Sequence, residues 1–179
     1  PVISLFLMAS SIIVFAGVFN RDLAWITFLQ ELNFPDYAFG YMWSAMGFVG
    51  IFAPLISLKF MKKGRERKFI LTILMMTIII SLLILFVSNI AFALLILLAG
   101  LFFIRMSMPA ERVYFHRFIK SKLRATIGSV ESMLIAVVGL IAMPLAGLSV
   151  DYLGARYTIF LSALLLIPAF LVFLKIKEN

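Results

Sequence analysis

The chain has no cysteine and a single histidine, His116, among its 179 residues. Disulfides and thiolate metal sites are therefore excluded, and neither a histidine-based metal centre nor any cofactor is expected. Charge is also scarce: 13% of the residues are charged and 64% are hydrophobic, against about 25% and 45–50% in an average soluble domain. A core of this length could not shield so much apolar surface from water. The solvent of this chain must be the lipid bilayer.

The net charge is +8, with 16 basic and 8 acidic residues. In a soluble protein this excess would suggest a nucleic-acid partner. Here the basic residues lie between hydrophobic stretches, so they indicate membrane topology and no nucleic acid is expected.

Six stretches have the roughly 20 mostly apolar residues that a membrane helix needs. They are about 2–30, 37–58, 69–88, 90–110, 124–149 and 156–175. The sequence therefore predicts an all-α membrane protein, with one six-helix bundle over residues 1–179. Because the first residue is Pro1 and not methionine, we expect the chain to be a piece of a longer protein.

The basic residues sort to one side of these spans. Of the 16 lysines and arginines, all but Arg21 and Arg156 flank the second-to-third connection, the fourth-to-fifth connection or the chain end. The other side carries Glu31, Asp36 and Asp151. Positive-inside bias predicts that the basic connections and both chain ends are cytoplasmic, in a plasma or inner membrane.

Polar residues interrupt the first apolar stretch, where Asn20, Arg21 and Asp22 stand side by side. One interpretation places them at the outer headgroups, after a span that ends near Phe19. The other shifts the span outward and places them in its outer half, facing a cavity; Trp25 and the polar connection from Glu31 favour this one, because they mark the interface further along. Arg21 and Asp22 point about 100° apart on a helix, so each is expected to meet a group on another helix.

Two further charged residues lie within the predicted spans. Glu131 lies seven residues beyond Arg124, about 10 Å deeper if the segment is helical. A carboxylate there has to be paired, protonated or in water. We expect Arg21 or Arg105, which lies near the inner end of span four, to approach it when the cavity rearranges. The candidates for a substrate or proton pathway are thus Asn20, Arg21, Asp22, Arg105 and Glu131.

These residues favour a secondary transporter that moves a small molecule, with protons as the coupling ion, because such a carrier needs a carboxylate whose protonation follows solvent access. An intramembrane enzyme is not expected, because no span contains a histidine to activate Ser129 or Ser132. A membrane scaffold or a channel-like protein remains the alternative, although no repeated polar motif of a selectivity filter is visible.

Three strings carry a family resemblance: "RATIGSVESM" at 124–133, "GYMWSAMGFVGIFAPLISLKFMKKGRERKFIL" at 40–71 and "PLAGLSVDYLGARYTIFLSALLL" at 144–166. They resemble, in order, the fifth helix, the second and third helices, and the last two helices in the C-terminal half of major facilitator superfamily transporters, especially the drug-efflux-like branch. The resemblance implies one six-helix half of that fold, a partner half of six helices N-terminal to Pro1, and proton-coupled efflux by alternating access.

One element of the superfamily pattern departs in this sequence. Its loop signature is Gly-x-x-x-Asp-Arg/Lys-x-Gly-Arg, and here Ser57 and Met61 stand in place of the Gly and the Asp, whereas Lys62, Gly64 and Arg65 are kept. A conformational latch that depends on that aspartate is therefore not expected at this loop.

Overall fold

A computed structural model describes residues 2–62, 64–119 and 121–176, without the side chain of Asp22. Within these residues the chain is helical, with short connections. The helices are α1 (Val2–Phe19), α2 (Asp22–Glu31), α3 (Ala38–Phe60), α4 (Glu66–Leu82), α5 (Ile90–Arg117), α6 (Arg124–Leu153) and α7 (Ala155–Lys175). A 3₁₀ turn, Leu83–Phe86, continues α4, and another, Ser121–Leu123, precedes α6.

Six segments of the described chain are long and apolar enough to cross a membrane, which confirms the predicted fold class. They are Val2–Glu31, Ala38–Phe60, Glu66–Phe86, Ile90–Arg117, Ser121–Leu153 and Ala155–Lys175. The first is not one continuous helix, since it breaks at Asn20 and Arg21. The fourth does not end near Ala110, as predicted, but continues to Arg117, so that His116 lies in its last turn and not in a loop.

Successive spans run in opposite directions. We call the end of the bundle that holds the α3–α4 and α5–α6 connections the basic end, and the end that holds Glu31 and Asp36 the opposite end. The α6–α7 reversal at the opposite end takes one residue, Gly154, whose φ of 87° and ψ of 159° favour glycine because it has no Cβ.

Two apolar cores hold the helices together, one towards each end. At the basic end Phe6 of α1 stacks on Phe115 of α5, with ring centroids 4.3 Å apart, and meets the edge of Phe173 of α7 at 5.7 Å. At the opposite end Phe28 of α2, which is fully buried, packs in a cluster with Ile159 of α7. Because α1, α5 and α7 contribute to the first core and α2, α5 and α7 to the second, the broken first span is anchored on both sides of its break.

A buried ion pair joins α4 to α5 at the basic end of the bundle. Glu66, in the first turn of α4, is 1% exposed and pairs with Arg117 of α5 at 2.5 Å. The backbone N–H of Gly64 also donates to both oxygens of that carboxylate. Next to it, Arg67 donates to the carbonyls of Phe173 and Leu174 at the end of α7. The acidic group missing at Met61 is thus replaced five residues later by Glu66, which joins α4 to α5 while its neighbour joins α4 to α7.

Two helices keep open faces. A Cβ added to Gly40, Gly47 or Gly50 of α3, or to Gly128 or Gly139 of α6, would meet no atom within 4 Å. Large apolar side chains beside them are exposed, among them Phe48 of α3 and Leu140 of α6, which are 62% and 77% exposed. These faces present apolar and small side chains, as lipid-facing or helix-packing surfaces in a membrane do.

Candidate functional site

A cavity of about 500 Å³ lies inside the bundle. Side chains from the first span and from α3, α4, α5 and α6 line it. Most of the wall is apolar, and a small set of charged residues is distributed among the apolar ones. The described charged residues of the wall are Arg21, Arg105, Glu111, Arg112 and Glu131.

The break in the first span lies in the wall of this cavity. Arg21 has an extended backbone, with φ −115° and ψ −166°, so the helical hydrogen-bond ladder stops there. The side chain of Asn20 holds the break: it accepts a hydrogen bond from the Trp25 indole at 2.7 Å and donates to the Ser81 hydroxyl of α4 at 3.1 Å. Irregular backbone at membrane depth is tolerated where it lines a cavity and its polar groups are satisfied.

Of the two interpretations of Asn20–Asp22, this geometry agrees with the cavity. Asn20 and Arg21 both line it, and Arg21 is exposed to it. The backbone of Asp22 begins α2, but its side chain lies outside the described part of the chain. A role for Asp22 stays a prediction.

One face of α5 supplies most of the polar wall. Arg105, Met108, Glu111, Arg112 and Phe115 recur at the three- and four-residue spacing of a helix face, and all line the cavity. Arg105 is exposed, and its guanidinium contacts the sulfur of Met108 at 3.9 Å.

Sequence reasoning missed Glu111 and Arg112 as cavity residues. The predicted fourth span ends near Ala110, and Arg112 is assigned to the basic connection that follows it. The signal that could have found them is the same three-and-four spacing, which continues unbroken from Arg105 to Phe115. Ser107 lies one turn before Glu111 and within hydrogen-bonding reach of its carboxylate.

Glu131 lies opposite this face, on α6, and lines the same cavity. Its side chain is 14% exposed, and one of its oxygens is 3.9 Å from the guanidinium of Arg112, whose side chain is 69% exposed. In this conformation the partner is thus neither Arg21 nor Arg105, because the residues of α5 that reach the level of Glu131 are those of its last two turns. An approach of Arg21 or Arg105 to Glu131 in a rearranged cavity stays a prediction. Glu111 also interacts electrostatically with Glu131 and Arg112.

The contacts between helices show in which order these charged residues lie along the axis of the bundle. Asn20 bonds to Ser81, and the neighbouring Ile80 lies 3.8 Å from where a Cβ on Gly100 would be. Arg105 follows Gly100 by five residues, about 7 Å nearer the basic end, and Glu111 follows by a further six, about 9 Å. Arg21 therefore lies nearest the opposite end, Arg105 near the middle of α5, and the Glu111–Arg112–Glu131 cluster nearest the basic end.

Six membrane spans around a largely apolar cavity with a few intramembrane charges define a polytopic helical membrane protein with an internal binding site. The chain belongs to the Major Facilitator Superfamily, whose family model matches residues 3–179. It is therefore a multi-pass membrane transporter. No curated protein and no solved structure matches it.

Proposed function

We propose that the chain is the C-terminal half of a secondary transporter that exports a small molecule by alternating access, in exchange for protons. The observation that carries this proposal is the ion pair of Glu131 with Arg112 in the wall of the cavity. A membrane carboxylate is expensive unless it is paired, protonated or hydrated, and this one is paired in the wall of a cavity.

The geometry of the pair suits exchange between these states. At 3.9 Å the two groups attract each other without a close hydrogen bond, and Arg112 keeps most of its side chain exposed. A proton on Glu131 removes the attraction and frees Arg112. Loss of that proton restores the pair. A cavity that opens alternately to the two sides of the membrane would then link the movement of protons across the membrane to its own rearrangement.

A second carboxylate, Glu111, adds to the effect of protonation on the Glu131–Arg112 pair. Glu111 faces the same cluster from α5, so two carboxylates share one arginine. Like charges at close range oppose simultaneous ionisation, and a single proton on either carboxylate relieves the excess. We assign proton coupling to the three residues together, with Glu131 as the group that exchanges the proton and Glu111 as its electrostatic partner.

Replacing Glu131 by Gln tests the coupling. The amide keeps size and polarity but cannot titrate. In proteoliposomes that hold the full-length protein, we expect Glu131→Gln to abolish transport driven by a pH gradient while the protein still inserts and still binds substrate. Glu31→Gln is the matched control, since Glu31 is an exposed carboxylate at the opposite end and outside this cavity.

The orientation of the pH gradient that drives transport shows in which direction the substrate moves relative to the protons. Export in exchange for protons requires that substrate accumulate on the acidic side, and accumulation on the alkaline side would show import with protons. Normal pH-driven transport by Glu131→Gln would show that the coupling group lies elsewhere.

Membrane orientation and partner belong to the same proposal. The basic end faces the cytoplasm of a plasma or inner membrane, as positive-inside bias favours. The open faces of α3 and α6 carry the small residues that allow close helix approach, and they would receive the second six-helix half. The drug-efflux-like resemblance supports an organic substrate, which suits a mainly apolar wall.

A further inference from the structure

We propose that the cavity binds an organic anion, whose acidic group, a carboxylate or a phosphate, is held by Arg105 and Arg21. The inference rests on the proposed function and specifies the substrate class of the same cavity. Its basis is the imbalance of charge and of pairing among the wall side chains that the structure describes, which do not include that of Asp22.

The two glutamates of the cavity wall both interact with the same arginine. Glu131 pairs with Arg112, and Glu111 interacts with the same guanidinium. Two arginines remain. Among the side chains that the structure describes, neither Arg21 nor Arg105 has a carboxylate within 4 Å, and the polar contact of Arg105 is the sulfur of Met108.

An unpaired arginine at membrane depth is costly, at about 2.5–3.5 kcal/mol on insertion scales. Arg105 lies near the middle of α5, which is one of the six segments long and apolar enough to cross a membrane. Both Arg21 and Arg105 are exposed towards the cavity. A ligand that brings negative charge would compensate both residues.

The guanidinium group selects the chemistry of that charge. Its planar donors match carboxylate and phosphate oxygens in pairs. The same charges repel an organic cation from the middle of the cavity and from its side nearest the opposite end, where Arg105 and Arg21 lie. The wall around them is apolar and includes Trp25, Trp43 and Met46, so an aromatic or aliphatic body completes the ligand.

The chain carries its own reporter for this test. Its two tryptophans, Trp25 and Trp43, both line the cavity. Quenching of tryptophan fluorescence by a nitroaromatic ligand therefore reports occupation of the cavity. The probes are para-nitrobenzoate, para-nitrophenyl phosphate, para-nitrobenzyl alcohol and para-nitrobenzyltrimethylammonium, added to the 179-residue chain in phosphatidylcholine nanodiscs.

We expect at least one of the anions to bind at least about tenfold more tightly than the alcohol and the ammonium. Arg105→Gln and Arg21→Gln should each reduce anion affinity by about tenfold, because each removes charge-assisted hydrogen bonds, and should leave the alcohol unchanged. Arg105→Lys keeps the charge without the planar donors, so it should keep the preference for anions with an intermediate affinity. Circular dichroism verifies that each variant is folded.

Arg124→Gln is the matched control. It removes the same charge from an exposed position outside the cavity wall, and it should leave every affinity unchanged. Added phosphatidylglycerol separates two sources of the acidic group: displacement of the anionic probe assigns the site to a lipid headgroup, and no displacement assigns it to a soluble anion.

Three results would overturn the inference. They are equal or tighter binding of the ammonium probe, unchanged anion affinity in both glutamine variants, and competition by inorganic phosphate as effective as that by the aromatic anions. Transport measurements are separate. Anion binding without any transport by the full-length protein would contradict the proposed function and leave this inference standing, whereas pH-driven transport of cations alone would do the reverse.

Discussion

Asn20 satisfies two polar partners with one amide. Its oxygen accepts from the Trp25 indole and its nitrogen donates to Ser81. Ser81 is 2% exposed, so the hydrogen bond from Asn20 satisfies a buried hydroxyl. The residue therefore fixes a tryptophan of the cavity wall and joins the broken first span to α4.

A double-mutant cycle measures this link. We expect Asn20→Ala and Ser81→Ala to lower the free energy of unfolding separately, and the pair to show a coupling energy of about 0.6 kcal/mol and at most about 1.7 kcal/mol, the range found for side-chain hydrogen bonds in membranes. Unfolding in mixed detergent gives the values. Gln30→Ala serves as a control, because Gln30 is an exposed amide in α2. Strict additivity of Asn20→Ala and Ser81→Ala would contradict the link.

Helix α5 does not end where its apolar run ends and its charged residues begin. The helix continues for seven residues beyond Ala110, and its cavity face continues with it. Its last turn also carries Arg117, which pairs with the buried Glu66 of α4. One helix end thus serves both the cavity and the structural tie of the basic end.

Removing Arg117 should destabilise the bundle, because it leaves the 1% exposed Glu66 carboxylate without its cation. Loss of one partner of a buried pair costs about 3–5 kcal/mol. Arg117 retains 38% exposure, so we expect Arg117→Gln to cost about 3 kcal/mol of unfolding free energy, measured by thermal or detergent unfolding.

Two variants sharpen that measurement. Glu66→Gln combined with Arg117→Gln should recover part of the loss, because no uncompensated charge stays buried. Arg124→Gln, at an exposed position, should change stability by less than about 0.5 kcal/mol. An Arg117→Gln protein as stable as the unchanged chain would show that the Glu66–Arg117 ion pair contributes nothing to stability.

The distribution of charge over the whole molecule predicts its orientation. Because the chain has no cysteine, single-cysteine variants give unambiguous labels. We expect a cysteine at Asp36 to react with an impermeant maleimide from outside intact cells, and one at the exposed Lys122 to react only after the membrane is opened. Labelling of both positions from the same side would refute the six-span topology, and exchange of the two sides would reverse the orientation.

The open faces of α3 and α6 predict that the chain does not transport alone. In the superfamily arrangement that the resemblance implies, those faces belong to a partner half, and the isolated bundle closes only part of the cavity. We expect no substrate flux in proteoliposomes that hold the monomeric 179-residue chain, and flux once the full-length protein is used. Robust flux through a verified monomer would contradict the need for a partner, and flux through a dimer of the chain would show that a second copy replaces it.

Much of the architecture follows from the sequence alone, because lipid imposes a simple rule. Each span needs about 20 apolar residues, and the six runs of such residues predicted six spans, which are confirmed, with the first divided into α1 and α2. Glu131, Arg21, Asn20 and Arg105 could be identified as exceptional because charged or amide groups are rare inside such runs. Their rarity says nothing about their partners.

The partners depended on how the helices pack. Arg112 pairs with Glu131 because α5 continues as a helix into its charged end and faces α6 across the cavity, which no apolar run indicates. Asn20, at the break in the first span, bonds to Ser81, which is 61 residues away in sequence, and that hydrogen bond exists only when the fold brings the break within reach of the end of α4. Contacts between helices are set by the shapes and depths of distant segments, so the cavity and its pairing of charges arise only in the assembled bundle.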